Sequence, residues 1–218
     1  MIQLHIFDMD HTLIEADCDV TWKEFLVAEK IAPASALAEA DRFFEQYNQG
    51  CMDPDEFTAF QLREFIGRSE AEMAQLSQKH FEKMILPNIR QAAKDYVAEC
   101  LRNNVPCAIL SSTNAVLVAP VAEYFNIKEF YGTPLEITDG RYTGKIAGGY
   151  FAGAGKVEVM QKLCAAHDVT PDSVAAYGDS INDAQLLAAV GFPHAVSPSE
   201  ALKNLAESNK WRILDWRA

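Results

Sequence analysis

The sequence predicts an α/β protein, with a doubly wound parallel sheet as its core and an inserted α-helical cap. Short apolar runs, each ended by small or polar residues, alternate along much of the chain with segments of helical periodicity. Strands that alternate with helices favour a parallel sheet covered by helices on both faces. The segment from about residue 20 to 85 shows helix signals only, and we therefore interpret it as a helical insertion.

The first strand is predicted at residues 2–7, an apolar run that ends directly before Asp8. A short apolar run bounded by polar residues is typical of a buried strand. Three later runs of the same form predict strands at residues 105–110, 174–177 and 192–196. Helical patterns lie between these runs: Val121, Ala122 and Phe125, for example, fall on one helical face.

The inserted segment contains three signals for helix starts. Residues 21–24 and 69–72 match the capping-box pattern, in which side chains bind backbone N–H groups that lack a partner. Asp53 followed by Pro54 offers a capping residue and a proline at the first helical position. With the helical repeat that precedes Asp53, these signals predict about four helices directly after the first strand.

A hairpin is predicted in residues 135–146. Asp139 and Gly140 stand there between two segments of alternating polarity, and Asp-Gly is a strong signal for a tight turn between antiparallel strands. We expect the hairpin to project from the sheet as a small flap.

Composition limits the possible partners. Hydrophobic residues make up 49% of the chain and charged residues 23%, which is sufficient to bury a core and is not typical of a disordered chain. The formal net charge is −12, and an acidic protein repels nucleic acids and anionic membranes. We therefore expect neither as a partner, and a phosphate substrate would need local positive charge from a metal ion or backbone N–H groups.

The cysteine pattern favours a reducing compartment. The five cysteines are odd in number, and no two have C-x-x-C spacing, so a disulfide framework is not expected. The N-terminus lacks the basic flank and long apolar run of a signal peptide, and no segment approaches the roughly 20 apolar residues of a membrane span. These features predict a cytoplasmic protein.

Asp8 and Asp10 follow the first strand within the segment 8–12. On a loop that leaves the strand, both acids can turn toward one point. One carboxylate can then attack a phosphorus atom while the other transfers a proton. The alternative is a solvated acidic turn. The apolar strand favours a site, because it places the acids at the carboxyl edge of a sheet, where ligands bind.

A second acidic segment, 178–183, follows another apolar strand and precedes a helix. Carboxylates are the hard oxygen donors that suit Mg²⁺, and Asp179 could complete a metal site begun by Asp8. The alternative is a helix N-terminus with acids in its first turn, and this interpretation fits Ser180 and Asp183 equally well.

Ser111 and Lys156 are candidates for binding a phosphate. Ser111 follows an apolar strand, and it and the N–H groups after it could hold a phosphate at a helix N-terminus; a capping serine is the alternative. Lys156 follows the two glycines Gly153 and Gly155 near the start of a helix, where a cation is unfavourable unless an anion is close. The segment does not match the Walker A pattern.

Taken in order, the motifs D-x-D-x-T, apolar-Ser, Lys and G-D-x-x-x-D resemble those of the haloacid dehalogenase superfamily over essentially the whole chain. The helical insertion after the first motif and the Asp-Gly flap are similar to the phosphoserine-phosphatase-like subfamily. The resemblance implies a Rossmann-like catalytic core of residues 1–14 and 87–218, with a helical cap domain of residues 15–86.

The resemblance also implies roles for the motif residues. Asp8 would be the nucleophile that forms an aspartyl-phosphate, and Asp10 the general acid and base. Ser111 and Lys156 would complete the catalytic set by holding the phosphate. A carboxylate that attacks a phosphate dianion meets charge repulsion, and a cation and N–H groups are what such a reaction needs.

Mg²⁺ is the cofactor that the resemblance implies. Its ligands would be the carboxylates of Asp8 and Asp179 and the backbone carbonyl of Asp10. Asp183 would support the metal's shell of ligands and position Lys156.

The chain departs from phosphoserine phosphatases at the positions that grip the substrate. Those enzymes usually carry a Glu after the first motif, an Arg in the cap and Ser-Gly-Gly at the second motif. Here Asp17 stands at the Glu position, the Arg position falls on or beside Arg63 and Glu64, and Ser112 and Thr113 replace the glycines.

The segment after the nucleophile resembles a branch of the subfamily with members similar to histidinol-phosphate phosphatases. Asp17, Asp19 and Trp22 could bind a leaving group that carries an amine or imidazole, through charge and cation–π contact. The alternative is that Trp22 belongs to the cap core and the acids are solvated. The predicted substrate-binding residues are Asp17, Trp22, Arg63, Ser112 and Asn182.

The sequence therefore predicts a Mg²⁺-dependent phosphatase of a small phosphate ester, with histidinol phosphate or phosphoserine as the substrate, in a monomer or homodimer. A phosphomutase or phosphotransferase of the same superfamily, and a non-catalytic phosphate-binding protein, are the alternatives. A dehalogenase would not need Asp10 or Asp179, and a binding module would be expected to have lost at least one of the acids or Lys156.

Overall fold

The computed structural model describes residues 1–48, 51 and 53–217. Its strands are β1 (Leu4–Phe7), β2 (Cys107–Asn114), β3 (Glu129–Thr133), β4 (Leu135–Thr138), β5 (Arg141–Ile146), β6 (Val174–Gly178), β7 (Phe192–Val196) and β8 (Arg212–Leu214). Its α-helices are α1 (Cys18–Ala28), α2 (Ser35–Asn48), α3 (Pro54–Leu62), α4 (Glu70–His80), α5 (Gln91–Arg102), α6 (Ala115–Tyr124), α7 (Ala154–His167), α8 (Ala184–Ala188) and α9 (Glu200–Asn209).

Six strands form one sheet in the order β3-β2-β1-β6-β7-β8, and all of its neighbouring strands are parallel. The strand β1 lies between β2 and β6, and the strands that follow it in the chain are placed first on one side of it and then on the other. Ligands of open α/β sheets bind at the carboxyl ends of the strands where the order reverses in this way. The end of β1 is therefore the expected place for a site.

Successive residues of β1 face opposite sides of the sheet. Leu4 and Ile6 pack in the hydrophobic cluster that includes α7, α8 and α9, whereas Phe7 packs in the cluster that includes α5 and α6. All residues of β1 are buried, as expected for a central strand covered on both faces. The predicted doubly wound α/β sheet is confirmed.

The helices α1 to α4 lie in the chain between β1 and β2, as the insertion predicted. Asp53 caps α3, and Ser69 forms a capping box with Glu72 at α4, so these two helix starts are confirmed. The prediction of a capping box at residues 21–24 is wrong. The first cap helix begins three residues earlier than Thr21, because Asp17 caps it and accepts hydrogen bonds from two N–H groups.

The predicted hairpin is formed by β4 and β5. Asp139 and Gly140 have φ angles of 51° and 72°, the left-handed conformation that a tight hairpin turn requires. The hairpin also pairs with the cap: the N–H of Tyr142 donates to the carbonyl of Arg68, and the N–H of Gly67 donates to the carbonyl of Tyr142. The flap is thus attached to the cap as well as to the core.

Two strands of the main sheet, β3 and β8, were not predicted. Both lie at edges of the sheet, where residues such as Tyr131 and Arg212 are exposed. An edge strand needs no continuous apolar run, so the signal used for the central strands is missing there. In the described parts of the chain, none of the helices combines the length and apolar character that crossing a bilayer would require.

Candidate active site

The loop after β1 turns two acids out of the strand. His11 has a φ angle of 54°, and the N–H groups of residues 12–14 all donate to the carbonyl of Met9. This tight reversal directly after Asp10 ends the extended conformation of the strand. The loop therefore brings both carboxylates to the carboxyl edge, as predicted.

Lys156 lies in the first turn of α7, which begins after Gly153. Its Nζ donates to Oδ1 of Asp8 and to Oδ1 of Asp183, both at 2.6 Å. Burial lowers the pKa of Lys156, but the carboxylates of Asp183 and Asp8 outweigh burial and hold the pKa above its ordinary value. These acids supply the anions that a lysine at the positive end of a helix needs.

Asp179 and Asp183 follow β6 in a short turn. The Asp183 carboxylate also accepts hydrogen bonds from the N–H and hydroxyl of Ser180, at 3.3 and 3.4 Å. Gly178 is required beside it, because a Cβ there would lie 2.5 Å from Cγ of Asp183. Asp183 therefore caps the turn and binds Lys156 at once, so both interpretations of this segment apply to it.

The side chains of Asp8, Asp179 and Asp183 form a group that fits a divalent cation. One oxygen of each lies within 4.8 Å of the others. Three carboxylates against the single charge of Lys156 leave a formal surplus of two negative charges in a largely buried place. Hard oxygen donors with this surplus suit Mg²⁺, so the residues fit the predicted cofactor.

The pKa values of the same acids reflect this crowding. Burial raises the pKa of Asp8 well above its ordinary value, and Asp183 and Asp179 raise it further, against the opposing effect of Lys156. Burial and then Asp183 raise the pKa of Asp179 to about 7. Carboxyl groups in such a place take up either protons or a metal ion.

Asp10 is held by the cap and by the core together. Its Oδ1 accepts from the N–H of Cys18 at 2.8 Å, at the start of α1, and its Oδ2 accepts from the hydroxyl of Thr113 at 2.6 Å, at the end of β2. Burial and then Asp17 raise the pKa of Asp10 to about 6, although the two hydrogen bonds oppose this. A carboxyl group with a pKa near neutrality is suited to give and take protons.

Ser111 lies within β2 and not at a helix start, so both the interpretation of Ser111 as a capping residue and the expectation that it holds a phosphate at a helix N-terminus are wrong. The strand continues to Asn114, whose side chain caps α6 by accepting from the N–H of Leu117. Ser111 is buried, and its Oγ accepts from the N–H of Thr113 at 3.1 Å. Ser111 is thus hydrogen-bonded to Thr113, the residue whose hydroxyl binds Asp10.

A narrow cavity of about 30 Å³ lies between the cap and the core. On the cap side it is lined by Asp19, Phe57 and Gln61, among others, and on the core side by Ser112. Among the described residues that line it, none is a lysine or an arginine. Leu135 and Ile146 of the flap, together with Tyr150, complete the wall.

The structure separates the predicted substrate-binding residues. Ser112 lines the cavity, whereas Asp17 uses its carboxylate to cap α1 and Asn182 is exposed in the turn after β6. Arg63 is also outside the cavity. Its guanidinium lies 3.2 Å from Glu39 and 3.3 Å from Glu64, so its charge is already paired.

The prediction of a cation–π contact with Trp22 is wrong. Its ring is 1% exposed and packs on Phe25, Phe65 and His80, with ring centroids 5.3 to 5.7 Å apart. The ring has no free face for a substrate, because the apolar neighbours of the cap core cover it. The alternative interpretation of Trp22 as a core residue is confirmed.

Sequence reasoning missed three residues near the site. Thr113 was noted only as a replacement for glycine, yet it binds Asp10. Gln61 and Lys23 carried no signal, since a glutamine in a helix and a lysine four positions after Asp19 are ordinary on helix surfaces. Both are buried in the structure.

The sheet topology, the inserted cap and the acids at the carboxyl edge of β1 and β6 define an α/β enzyme with a buried Asp–Lys–Asp cluster. The chain belongs to the haloacid dehalogenase-like hydrolases, whose family model matches residues 6–188. The resemblance seen in the sequence motifs is therefore confirmed, and so is the predicted enzyme class, a hydrolase of the phosphatase type.

Similar proteins support this assignment. The chain is 32% identical over 222 residues to a histidinol-phosphatase of Neisseria meningitidis serogroup C (strain 8013), with 100% of both chains covered. It is similar in structure to a protein of unknown function from Bordetella pertussis Tohama I, with a TM-score of 0.89, 31% identity and 100% of both chains covered. A substrate-bound phosphoserine phosphatase has a TM-score of 0.72 at 16% identity, over 100% of this chain and 94% of its own, and this likeness shows the fold alone.

Proposed function

We propose that the protein is a Mg²⁺-dependent phosphatase that hydrolyses a small phosphate ester through an aspartyl-phosphate on Asp8. The observation that carries the proposal is the buried cluster in which Lys156 bridges Asp8 and Asp183 at 2.6 Å, with Asp179 beside them. Such a cluster joins a carboxylate nucleophile to the positive charge that a phosphate requires.

Asp8 attacks the phosphorus atom, and the bond from phosphorus to the ester oxygen breaks. Lys156 offsets the charge on the phosphoryl oxygens, and Ser111 and the N–H groups after it help to hold them. Asp8, Asp179 and the backbone carbonyl of Asp10 would hold Mg²⁺, which would supply further positive charge to stabilise the phosphoryl group.

Asp10 transfers the proton in both halves of the reaction. It protonates the leaving oxygen when the aspartyl-phosphate forms, and then removes a proton from the water that hydrolyses this acyl-phosphate. Asp10 is suited to this role because its pKa is about 6, and because Cys18 and Thr113 fix its two oxygens. Asp183 keeps Lys156 in place between the two steps.

We propose histidinol phosphate as the substrate, ahead of phosphoserine. The full-length relative from Neisseria is named a histidinol-phosphatase. The lining of the cavity favours histidinol phosphate over phosphoserine. Asp19 lines the cavity, and the described lining residues include no arginine or lysine to bind the carboxylate of phosphoserine. Arg63, the residue predicted for that role, is engaged by Glu39 and Glu64 on another side of the cap.

The proposal extends to the setting of the enzyme. We propose a cytoplasmic monomer or homodimer that acts on a free metabolite, without nucleic acid or membrane as a partner. The support is the net charge of −12 and the cysteine pattern: Cys18, Cys100, Cys107 and Cys164 form no disulfide among the described residues.

A substrate panel tests the proposed function. Purified protein is incubated with histidinol phosphate, phosphoserine and p-nitrophenyl phosphate, with Mg²⁺ or with excess EDTA, and released phosphate is measured. We expect Mg²⁺-dependent release that is fastest from histidinol phosphate. Lack of hydrolysis of all three esters in Mg²⁺, by a protein that is folded by circular dichroism, would contradict the proposed phosphatase.

A further inference from the structure

The cap wall of the cavity contains a buried acceptor that has no donor. Gln61 is 9% exposed, and among the described residues nothing donates to its Oε1. Its Nε2 donates to the backbone carbonyl of Asp19 at 3.4 Å. Because a carbonyl only accepts, this contact distinguishes the Nε2 of the amide from its Oε1. Buried polar atoms normally have partners, so the free Oε1 indicates a donor that the chain does not supply.

The Asp19 carboxylate lines the same cavity and lies among other acids. Burial raises the pKa of Asp19 well above its ordinary value, and Asp17 and Asp10 raise it further, against the opposing effect of Lys23. The charge of Lys23 is already matched by Glu64, at 2.5 Å. Asp19 therefore lies in a place where the negative charge of its carboxylate is disfavoured, and a bound cation would stabilise that charge.

The position of the cavity relative to Asp10 indicates which part of a substrate lies in it. Asp10 is bound on one side by Cys18, the neighbour of Asp19, and on the other by Thr113, the neighbour of Ser112. Asp19 and Ser112 both line the cavity, and the carboxylate of Asp10 is close enough to Asp19 to raise its pKa, so the cavity lies near Asp10. A group that Asp10 protonates as it leaves would extend from there into the cavity.

The remaining wall contains apolar side chains and the polar residues Thr58, Asn114, Thr133 and Tyr150. Phe57 and Leu62 of α3 face the cavity from the cap, and Leu135 and Ile146 face it from the flap. Apolar side chains on two sides suit a flat or short organic group, and the polar atoms of the cap wall then decide its orientation. At about 30 Å³ the cavity has room for about one small group, so it matches the cationic nitrogen of a leaving group and not the whole of it.

A buried ion pair keeps this wall in place. Lys23 donates to the carbonyl of Phe60 at 2.6 Å and to Glu64, which fixes the end of α3 where Gln61 lies. Lys23 is fully buried and contacts no lining atom through these bonds, so it is a positioning residue for Gln61. A polar group fixed before binding loses less freedom when the ligand arrives.

We propose that Oε1 of Gln61 and the carboxylate of Asp19 together bind a protonated nitrogen of the leaving group, an ammonium or an imidazolium. This inference rests on the proposed function and assigns its specificity to two residues of the cap. A leaving group without such a donor leaves both acceptors unpaired, and a carboxylate at the same place is repelled by Asp19.

The test compares two esters on matched variants. Values of kcat/KM for histidinol phosphate and for p-nitrophenyl phosphate, which has no cationic nitrogen, are measured on wild type, Asp19→Asn and Gln61→Leu. We expect the ratio of the two values, cationic over neutral, to fall by about 10- to 100-fold in each variant, as for the loss of a hydrogen bond to a charged group. Glu24→Gln, an exposed acid on the same helix as Asp19, is the control and should keep the ratio of wild type.

A further variant separates recognition from packing. Gln61→Glu keeps an acceptor and adds negative charge, so it should keep or increase the preference for the cationic ester, whereas Gln61→Leu should lose it. If Asp19→Asn and Gln61→Leu leave the ratio unchanged, or if all three variants reduce both esters equally, the inference is overturned. Preference of the wild type for the neutral ester would also overturn it.

The proposed function and this inference fail in different ways. Hydrolysis of p-nitrophenyl phosphate that requires Mg²⁺ but shows no preference for a cationic leaving group would leave the phosphatase standing and remove only the subsite. Lack of hydrolysis of every ester by folded wild type would remove both. Thermal unfolding of each variant shows whether it is folded at the assay temperature.

Discussion

Lys156 in the core and Lys23 in the cap are both buried, but their surroundings differ. Lys156 binds two carboxylates, at 2.6 Å each, with a third acid close by. Lys23 binds one carboxylate, that of Glu64, and one backbone carbonyl. Burial lowers the pKa of both lysines, yet the pKa of Lys156 ends above its ordinary value and that of Lys23 below it.

The difference separates a catalytic cluster from a structural one. Around Lys156 the negative charges outnumber the positive ones, and such a surplus is stable only when a metal ion, a proton or a substrate completes it. Around Lys23 the charges balance without any ligand. A balanced buried pair holds helices in place. We therefore expect substitutions in the cluster around Lys156 to lower activity, and substitution of Lys23 to lower the free energy of unfolding.

The largest effect is expected from Asp8→Asn. An amide cannot attack phosphorus, so turnover should fall below detection for every ester, while the protein remains folded. Steady-state assays and circular dichroism measure the two properties side by side. A folded Asp8→Asn protein that still turns over substrate would contradict the covalent mechanism.

Removal of the metal should have a similarly large effect on activity. Excess EDTA should abolish hydrolysis, and added Mg²⁺ should restore it, because the surplus charge of the core cluster then has its counterion. Calorimetry provides a second readout: Asp179→Asn should weaken Mg²⁺ binding to the folded protein. Full activity in excess EDTA would show that the acids do not hold a required metal.

Asp10→Asn should have an intermediate effect. Loss of proton transfer typically costs ~10²–10⁴-fold, and we expect this for alkyl phosphate esters. The loss should be smaller for p-nitrophenyl phosphate when the first step is isolated in a single turnover, since its leaving group needs no proton. An equal loss for both esters in that experiment would exclude Asp10 as the general acid.

Lys23→Met tests the cap side of the comparison. It leaves Glu64 buried without its main partner and should lower the free energy of unfolding by about 3 kcal/mol. The exposed pair of Lys83 and Glu29 offers a matched control, because Lys83→Met should cost less than about 1 kcal/mol. Urea unfolding measures both. If the two variants lose the same stability, the buried pair does not hold the cap together.

The smallest effect concerns pH and the cap residue His80. Burial lowers the pKa of His80 to about 4 from an ordinary value of 6.5, so the unfolded chain takes up the proton first as the pH falls. His80 therefore supports folding fully above pH 6.5, and about 3 kcal/mol of this support is lost between pH 6.5 and 4. His80→Phe should remove this part of the acid sensitivity. Unfolding curves of variant and wild type that stay parallel over this range would contradict the prediction.

The grouping of Asp8, Asp179 and Lys156 could be predicted because each of them follows a local signal. Asp8 and Asp179 come directly after apolar strands, and Lys156 stands at a helix start where a cation needs an anion. The carboxyl ends of parallel strands meet at one edge of the sheet, so local signals are sufficient to bring these residues together. The central strands and the flap were predicted for the same reason, since their patterns lie within a few residues.

The cap wall could not be predicted in this way. Trp22 and Gln61 lie on cap helices that also carry exposed polar residues, and periodicity does not show which helix face meets the cap core and which meets the cavity. The structure turns Trp22 inward and leaves Oε1 of Gln61 without a partner at the cavity. Arg63, one position from the expected arginine, is turned toward Glu39 instead.

The sequence by itself determined the reaction, because the motif residues and the strand ends that carry them are local features of the chain. Only the tertiary structure decided the arrangement of the cap wall, since it depends on how α1 and α3 rotate about their axes when the cap packs on the core. A rotation of one helical position, 100°, exchanges a buried side chain for one that faces the ligand. The packing of Trp22 and the ion pair of Lys23 fix that rotation here, and neither contact is visible in the order of the residues.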